Sequence, residues 1–547
     1  MRQAWYLALP VLFIAGMVQT KDAVAREDAL TFATTEYSSD WNPVSTPTYP
    51  SVIATDLVSE RLIRRTCLGG DAVAAQSFEN ECLVPAAAVS KRGSVLLRLN
   101  PTCAAGQRPL NKDDVIYTLL ETTETPSNRY HQYALKVDGA GRLRISRPSN
   151  PPRWLAKEIL GFPLLREPTA KMRELFGLAN QAGSLARHTF ISGDESLIND
   201  VTGGMFAYEN ILNHTVRLKL RDKNKSTGNE KISRININVV DRMVDLTEMM
   251  RSRVRPDIVL SVSHHINPSD SLYTKRFDPN LNSFTYFGFN FATRDLRQRR
   301  LFEDAEFRRL FTTSIWTLRS IRRILDFVPG GRPKGTFIGQ SPDVASPRPQ
   351  DSPAVSQRKQ IQKKVRDYAR RTFGERGIVL KVILAPRVAG VLFDAADLKL
   401  LDQELNAIWS LPNRKGIRFR FTDPTAGPAH FKEARRSGDF HLVFDTFEFG
   451  ANRLRYIAFT DPESPLNDLG INIFPASKVE TWMKGGNKGR LDYFDNVMSQ
   501  YPYAVVGHFP RRVLISTNFE RYNGNCPSGA RAPLLHKIWM WERKAPR

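Results

Sequence analysis

The residues that could do covalent or metal chemistry are present in this chain, but not in arrangements that perform it. There is no G-x-S-x-G turn to expose a nucleophilic serine, no H-E-x-x-H pair to hold zinc beside a base, and no G-x-x-x-x-G-K-[S/T] loop to cradle phosphates. Gly330-Gly331-Arg332-Pro333-Lys334-Gly335-Thr336 is basic and glycine-rich but lacks the phosphate-loop spacing. His264 and His265 are adjacent, and neighbours on a strand point to opposite faces, so the pair is poorly placed to share one ion. Asp113 and Asp114 could pass for a carboxylate pair, but they follow Asn111 at the start of an apolar-periodic stretch, where acidic side chains favour the positive first turn of a helix. Cys67, Cys82, Cys103 and Cys526 show no metal-type spacing. An even set of four fits disulfides in an oxidising compartment; of the three possible connectivities, Cys67 with Cys82 is the preferred local pair, leaving Cys103 with Cys526. These residues imply no active site and no cofactor.

The compartment is suggested by the first 25 residues. Arg2, an apolar run from Ala4 to Val18 and Ala23-Val24-Ala25 follow the order of a secretory signal peptide, and the run is short for a membrane span. Cleavage would leave a chain starting near Arg26, with no cysteine there to carry a lipid. The formal charge is +23; losing Arg2, Lys21 and Asp22 lowers it by one, to +22. Such an excess attracts anions at long range. The basic residues are scattered, no nucleic-acid motif is present, and export would remove the chain from cellular DNA, so nucleic acid is not an expected partner.

The elements that must position any binding residues alternate between strand and helix. A strand from Leu30 leads to a loop reaching Asn42, and Ala54–Arg65 has helical periodicity. Ser94–Leu99 reads as a strand, a helix begins near Asn111, and Arg142–Ser146 is another strand. A strand in Lys231–Val240, a helix over Val244–Arg251 and a strand at Ile258–Val262 make a βαβ unit. Phe284–Phe291 is an aromatic strand, and Glu303–Phe327 reads as one long amphipathic helix. Pro329–Gln357 is a Pro/Gly/Ser-rich surface excursion. Beyond it come a basic helix (Gln357–Arg371), a strand (Val379–Leu384), a helix (Ala395–Trp409), a strand (Gly416–Phe421), a helix (Ala429–Ser437) and a strand (Phe440–Phe444). Two α/β bodies follow one another, without internal repeats.

Several landmarks, in order, resemble extracellular solute-binding protein family 5, the oligopeptide-, dipeptide- and nickel-binding proteins of ABC importers. Ser94–Pro101, Gly106 and Pro109-Leu110-Asn111-Lys112-Asp113-Asp114-Val115 are similar to that family's strand-turn-helix signature. Thr202-Gly203-Gly204-Met205-Phe206, Arg255-Pro256-Asp257-Ile258, Phe287-Gly288-Phe289-Asn290, Phe307-Arg308-Arg309-Leu310, Lys415-Gly416-Ile417, Ser437-Gly438-Asp439-Phe440, Tyr501-Pro502-Tyr503 and Ile538-Trp539 continue the match across the chain. The signature departs at Asn100-Pro101 and Cys103-Ala104-Ala105. Where peptide-binding relatives have Trp-x-Ala-Asp, whose Asp holds a ligand ammonium, this chain has Phe449-Gly450-Ala451-Asn452, followed by Arg453 and Arg455. Asparagine supplies no charge for an ammonium, which tilts the ligand toward a neutral or anionic solute.

The resemblance implies an α/β, two-lobed periplasmic-binding-protein-like fold of the class II type, with an extra subdomain in the first lobe and a ligand cleft at the hinge. The implied division is a signal peptide (1–25), lobe I (26–286, with a subdomain at about 50–190), lobe II (287–505) and a C-terminal return to lobe I (506–547), crossing near Phe287–Asn290 and Val505–His508. Cleft walls need aromatic bodies with a few orienting polar groups, so the candidate ligand-binding residues are Glu36, Tyr37, Ser38 and Trp41 from lobe I and Phe447, Phe449, Asn452 and Arg453 from lobe II. Ordinary core packing for the aromatics, a cap or surface role for Glu36 and a surface role for Arg453 stay open beside that reading. The implied function is a monomeric, non-enzymatic periplasmic component that captures a peptide or other small solute and hands it to an inner-membrane permease. A sensor or scaffold on the same fold and a secreted hydrolase are the alternatives.

Overall fold

The computed structural model describes residues 28–36, 41–43, 48–67, 77–80, 82, 94–96, 110–124, 136–137, 142–144, 163–175, 185, 190, 193–212, 214–221, 231–240, 242–252, 255–260, 266, 271–278, 283–327, 355–413, 415–423, 427–448, 457, 459–462, 464, 467–484, 486–507, 511–520 and 537–544. The proposed signal peptide, His264-His265, the Gly330–Thr336 segment and nearly all of the Pro329–Gln357 excursion fall outside these residues.

The strands in chain order are β1 (Ala29–Thr34), β2 (Ile63–Cys67), β3 (Ser77–Asn80), β4 (Ser94–Leu96), β5 (Lys136–Val137), β6 (Arg142–Arg144), β7 (Phe206–Ile211), β8 (Thr215–Leu220), β9 (Arg234–Val239), β10 (Ile258–Val259), β11 (Tyr273–Asp278), β12 (Ser283–Phe289), β13 (Ile378–Leu384), β14 (Ile417–Phe421), β15 (Leu442–Glu448), β16 (Tyr503–Gly507), β17 (Arg511–Ser516), β18 (Phe519–Glu520) and β19 (Glu542–Arg543). Seven of them form one sheet in the order β11-β17-β10-β1-β9-β8-β7, and five form another in the order β14-β13-β15-β12-β16. The small sheets β2-β3 and β4-β6-β5 and the helix Lys112–Glu124 come between β1 and β7 in the chain.

Each large sheet has its own core. On β1 and β10, Leu30, Phe32 and Ile258 enter one apolar cluster while Ala33 and Val259 enter another on the opposite face, as the two-residue period of a strand requires. β1 is flanked by β9 and β10, both parallel to it. The helix Met243–Arg251 connects those two strands, so the expected βαβ unit is present. The second sheet packs inside an aromatic cluster drawn wholly from residues between Phe284 and Val506. Phe287 stacks on Phe444 with centroids 4.0 Å apart, and Phe307 and Phe311 sit edge-on and tilted against Trp409 at 5.4 and 6.2 Å. No buried residue belongs to both cores among the described residues.

Two expected helices differ from what the spacing predicted. The helix expected over Ala54–Arg65 runs from Tyr49 to Val58, and Ile63–Cys67 is strand β2. Its start is fixed by a reciprocal cap, Thr48 accepting from the Ser51 N–H while the Ser51 hydroxyl accepts from the Thr48 N–H, with Pro50 in the first turn. The single helix expected over Glu303–Phe327 is two, Ala305–Ile315 and Arg319–Phe327. The break is made at long range. Trp316 Nε1 donates to the Val505 carbonyl of β16 (2.8 Å), and the Glu404 carboxylate accepts from Arg319 N (3.0 Å) and Ser320 N (2.9 Å), capping the second helix from another element.

Motif residues acquire physical reasons. Asp114 N donates to Asn111 Oδ1 (2.9 Å) and Asn111 N to Asp114 Oδ2 (3.0 Å), so this aspartate belongs to a helix cap, as expected. A Cβ on Gly204 would lie 2.4 Å from the Val58 carbonyl carbon, and one on Gly288 would lie 2.4 Å from Leu469 Cδ1; both glycines permit close approach. Asn290 Nδ2 donates to the Phe440 carbonyl (2.8 Å), tying β12 to the start of β15. Buried Arg308 donates to the Phe302 and Glu303 carbonyls (2.7 and 2.8 Å) and closes the end of the helix Leu296–Glu303. Cys82 is buried and disulfide-bonded, its partner lying outside the described side chains.

Candidate functional site

The registers fix which ends of the two sheets are joined. In the first sheet β1, β9 and β10 run parallel, and β17 runs antiparallel to both β10 and β11. The C-terminal ends of β1, β9, β10 and β11 and the N-terminal end of β17 therefore share one edge. In the second sheet β13 is parallel to β14 and β15, and β12 is antiparallel to β15 and β16. The C-terminal ends of β13, β14, β15 and β16 and the N-terminal end of β12 likewise share one edge. The chain passes from β11 to β12 between Asp278 and Ser283, and back from β16 to β17 between Gly507 and Arg511. Both passages connect the C-terminal edge of one sheet to that of the other, where open α/β sheets bind ligands. Connections this short span at most roughly 17 Å when fully extended. Phe287–Phe289 and Val505–Gly507 lie within the second sheet, and the passages fall before the first and after the second.

A charged cluster occupies the second sheet's edge. Arg435, from the helix Gly427–Ser437, reaches Asp468 with Nε and Nη2 (2.6 and 2.9 Å) and Asp445 of β15 with Nη1. The Asp445 backbone register places it opposite Tyr286 of β12. Burial raises the Asp445 carboxyl, with Arg435 and the Thr446 N–H opposing. Burial also raises the Tyr286 phenol, which stays protonated. For Arg435, burial disfavours the charged form but the Asp445 and Asp468 carboxylates outweigh it, and the guanidinium stays ionised. Arg387 begins the turn Val388–Leu392 that follows β13. Burial pulls its pKa down to about 10, opposed by Asp445 and by Tyr49, a residue of the first lobe's helix Tyr49–Val58. Arg387 was missed in the sequence. The signal that could have found it is its position directly past the C-terminal end of a parallel strand.

The predicted residues fall as follows. Glu36 is half-buried just beyond β1, its N–H donating to Thr34 Oγ1 (3.0 Å). Trp41 is buried in the first lobe's core, its N–H donating to the Phe190 carbonyl (3.0 Å). Phe447, near the end of β15, is half-buried, with ring centroids 5.7 Å from Phe284 and 4.7 Å from Phe459. Tyr37, Ser38, Phe449, Asn452 and Arg453 lie outside the described residues. Glu36 and Phe447 thus each stand at the C-terminal end of a central strand of their sheet. Among the described residues no His, Cys, Asp and Glu group is arranged to hold a metal, and no helix is long and apolar enough to cross a membrane. A sheet edge with the Arg435–Asp445–Asp468 cluster, aromatic walls and two short connections can enclose and orient a solute.

No protein-family model and no curated protein matches the sequence. Solved structures do match its fold. The oligopeptide-binding protein AppA of Bacillus subtilis, in complex with a nonapeptide, superposes with a TM-score of 0.66 at 11% identity, over 94% of this chain and 99% of that one. Haemophilus influenzae OppA, in complex with the peptide RPPGFSPFR, gives 0.64 at 10% identity, over 93% and 99%. The PBP AgaA of A. tumefaciens R10, in complex with agropinic acid, gives 0.62 at 11% identity, over 95% and 99%. Over nearly its whole length, this chain has the two-lobed α/β fold of the oligopeptide-binding proteins.

Proposed function

We propose that this chain is an extracellular solute-binding protein of family 5, the capture component of a peptide-type ABC importer. The observation that carries the reading is that two short connections join the C-terminal edges of two separately cored sheets. Ligand contacts made by both lobes would stabilise the closed arrangement over the open one, and a permease would read that difference. On this reading residues 1–25 direct export to the periplasm, the chain crosses from lobe I to lobe II between Asp278 and Ser283 and back between Gly507 and Arg511, a few residues outside the expected bounds of 287 and 505, and the protein acts as a monomer without catalysing a reaction. Cys67 is the proposed partner of Cys82. Glu36, Tyr37 and Ser38 would face Phe447, Phe449, Asn452 and Arg453 across the ligand, while Trp41, expected at the cleft wall, is buried in the first core and would support that loop from behind.

The ligand is a peptide or another small solute. Asn452 in place of an aspartate, with Arg453 and Arg455 next to it in sequence, favours a neutral or anionic group over a free ammonium. Native mass spectrometry of protein purified from its own host is expected to show a retained small molecule that leaves on denaturation. Unmodified dipeptides are expected to leave the melting temperature unchanged. Absence of any retained mass, together with no melting shift from either peptides or acidic solutes, would overturn the reading.

A further inference from the structure

The second lobe carries a surface that the cleft does not use. The helix Val355–Phe373 contains seven basic residues and one acidic residue. Its inner side is anchored: Val365, Tyr368, Ala369 and Phe373 are buried, the Tyr368 hydroxyl donates to Asp304 (2.6 Å), and the Tyr368 ring lies 6.4 Å from Phe307. Its exposed side carries a basic row beside Gln360, Lys364, Asp367 and Arg371. Lys359, Lys363, Arg366 and Arg370 are spaced by four, three and four residues, which places all four on one stripe of the helix. All four are exposed. Arg370 has one distant partner, Asp367 at 3.8 Å, while the side chains of Lys359, Lys363 and Arg366 make no ion pair or hydrogen bond among the described residues. Like charges three and four residues apart oppose helix formation; here the helix is held by its buried face in spite of that repulsion.

We infer that this stripe docks the protein on an anionic phospholipid surface. The row is roughly 16 Å long at the helical rise, straight and one residue wide, which suits a flat array of phosphate headgroups. The exposed face between Lys359 and Thr372 has no aromatic side chain on which a nucleic-acid base could stack. Attachment would be electrostatic and reversible, because the exposed face carries no apolar side chain to insert. It would hold the protein close to a membrane whichever solute the cleft takes, and does not depend on the cleft reading.

The test is co-sedimentation of the full chain with phosphatidylglycerol-rich vesicles and with pure phosphatidylcholine vesicles, at low and high salt. Two quadruple variants are compared: K359Q/K363Q/R366Q/R370Q, and K171Q/R217Q/R234Q/R251Q, which removes four exposed basic residues of the first lobe and changes the net charge equally. At about fivefold per basic residue near an anionic surface, the stripe variant is expected to lose at least about a hundredfold in partitioning to phosphatidylglycerol. The control is expected to lose less than about fivefold, with both variants melting like the parent. High salt should release the parent. Equal losses in the two variants, equal binding to phosphatidylcholine, or displacement from vesicles by duplex DNA at matched phosphate concentration would each overturn the proposal.

Discussion

Replacing Arg435 by methionine is the most informative perturbation of the cleft edge. The variant keeps the apolar stem and deletes the guanidinium, and with it the contact on Phe431, whose ring centroid is 5.7 Å from the guanidinium carbon. Besides that weak contact, two ion pairs go. The fork on Asp468 is partly exposed, the aspartate side chain being 40% accessible, and is worth no more than about 1 kcal/mol. The contact with Asp445 is more enclosed, at 23% and 16% accessibility, and its loss leaves a buried carboxylate without its main counter-charge. A fully buried pair would cost about 3–5 kcal/mol. Residual exposure, the Thr446 N–H at 2.7 Å and nearby Arg387 reduce that to about 2–3 kcal/mol. The sum is about 3 kcal/mol, or roughly 6–12 °C for a lobe of this size. Urea unfolding followed by tryptophan fluorescence reports it, since Trp316, Trp409 and Trp482 all lie in the second lobe. The deficit should depend on pH with a definite sign. Asp445 already has a raised pKa in the folded protein, and losing Arg435 raises it further. A carboxyl whose folded pKa exceeds its unfolded value is penalised increasingly as pH rises above the unfolded pKa, so R435M should be less destabilised at pH 5 than at pH 7.5, and adding D445N should recover about 1–2 kcal/mol. A deficit below about 1 kcal/mol, or one that neither acid nor D445N reduces, would show that the cluster is not electrostatically coupled as described.

Glu404→Ala should cost about 1–2 kcal/mol by uncapping the helix Arg319–Phe327, and hydrogen exchange should speed up in that helix's first turn without change in Ala305–Ile315. Gly288→Val should cost about 1–3 kcal/mol, since its Cβ meets Leu469, Tyr286 and Val443 within 3 Å; a thermal melt unchanged from the parent would contradict this packing. His441 is held neutral, its Nδ1 accepting from the Lys381 N–H (2.7 Å), and burial lowers its pKa below 6.5. The unfolded chain then takes up this proton first, so stability should be level above pH 7 and decline as pH falls below 6.5. His441→Asn should flatten that limb in urea midpoints measured from pH 7.5 to 5.5.

What was legible in the sequence was what local chemistry decides. The cap at Asn111, the βαβ unit around Met243–Arg251 and the helix Ala395–Trp409 follow from short-range pattern and end signals, and all three stand where the spacing placed them. The break at Trp316–Leu318 was not legible, because the groups that make it, Glu404 and the Val505 carbonyl, are distant in sequence. The same holds for Arg387. Nothing in Ala385-Pro386-Arg387 marks it as special until strand order shows that β13 ends at the joined edge. The aromatic candidates divide for a related reason. Trp41 and Phe447 look alike as types, and only the fold separates a side chain inside the first core from one at the rim of the second.

The arrangement also explains why so low an identity preserves so much of the fold. Few contacts need particular chemistry. The cores ask for apolar volume, met here by phenylalanines around Trp409, and volume-preserving changes are tolerated. The demanding positions are those where backbone approaches backbone or a polar group must be satisfied without water: Gly204 under Val58, Gly288 against Leu469, Asn290 on Phe440 and Arg308 closing a helix end. Those are the positions at which the sequence resembles a known family, while the loop at Asn452 departs from it. The scaffold residues are constrained by packing geometry, which is the same whatever solute is bound. On the proposed function the segment past β15 would be constrained by the solute instead, and asparagine beside two arginines, where the resembled family has aspartate, is the kind of change expected when one fold is turned to a different ligand.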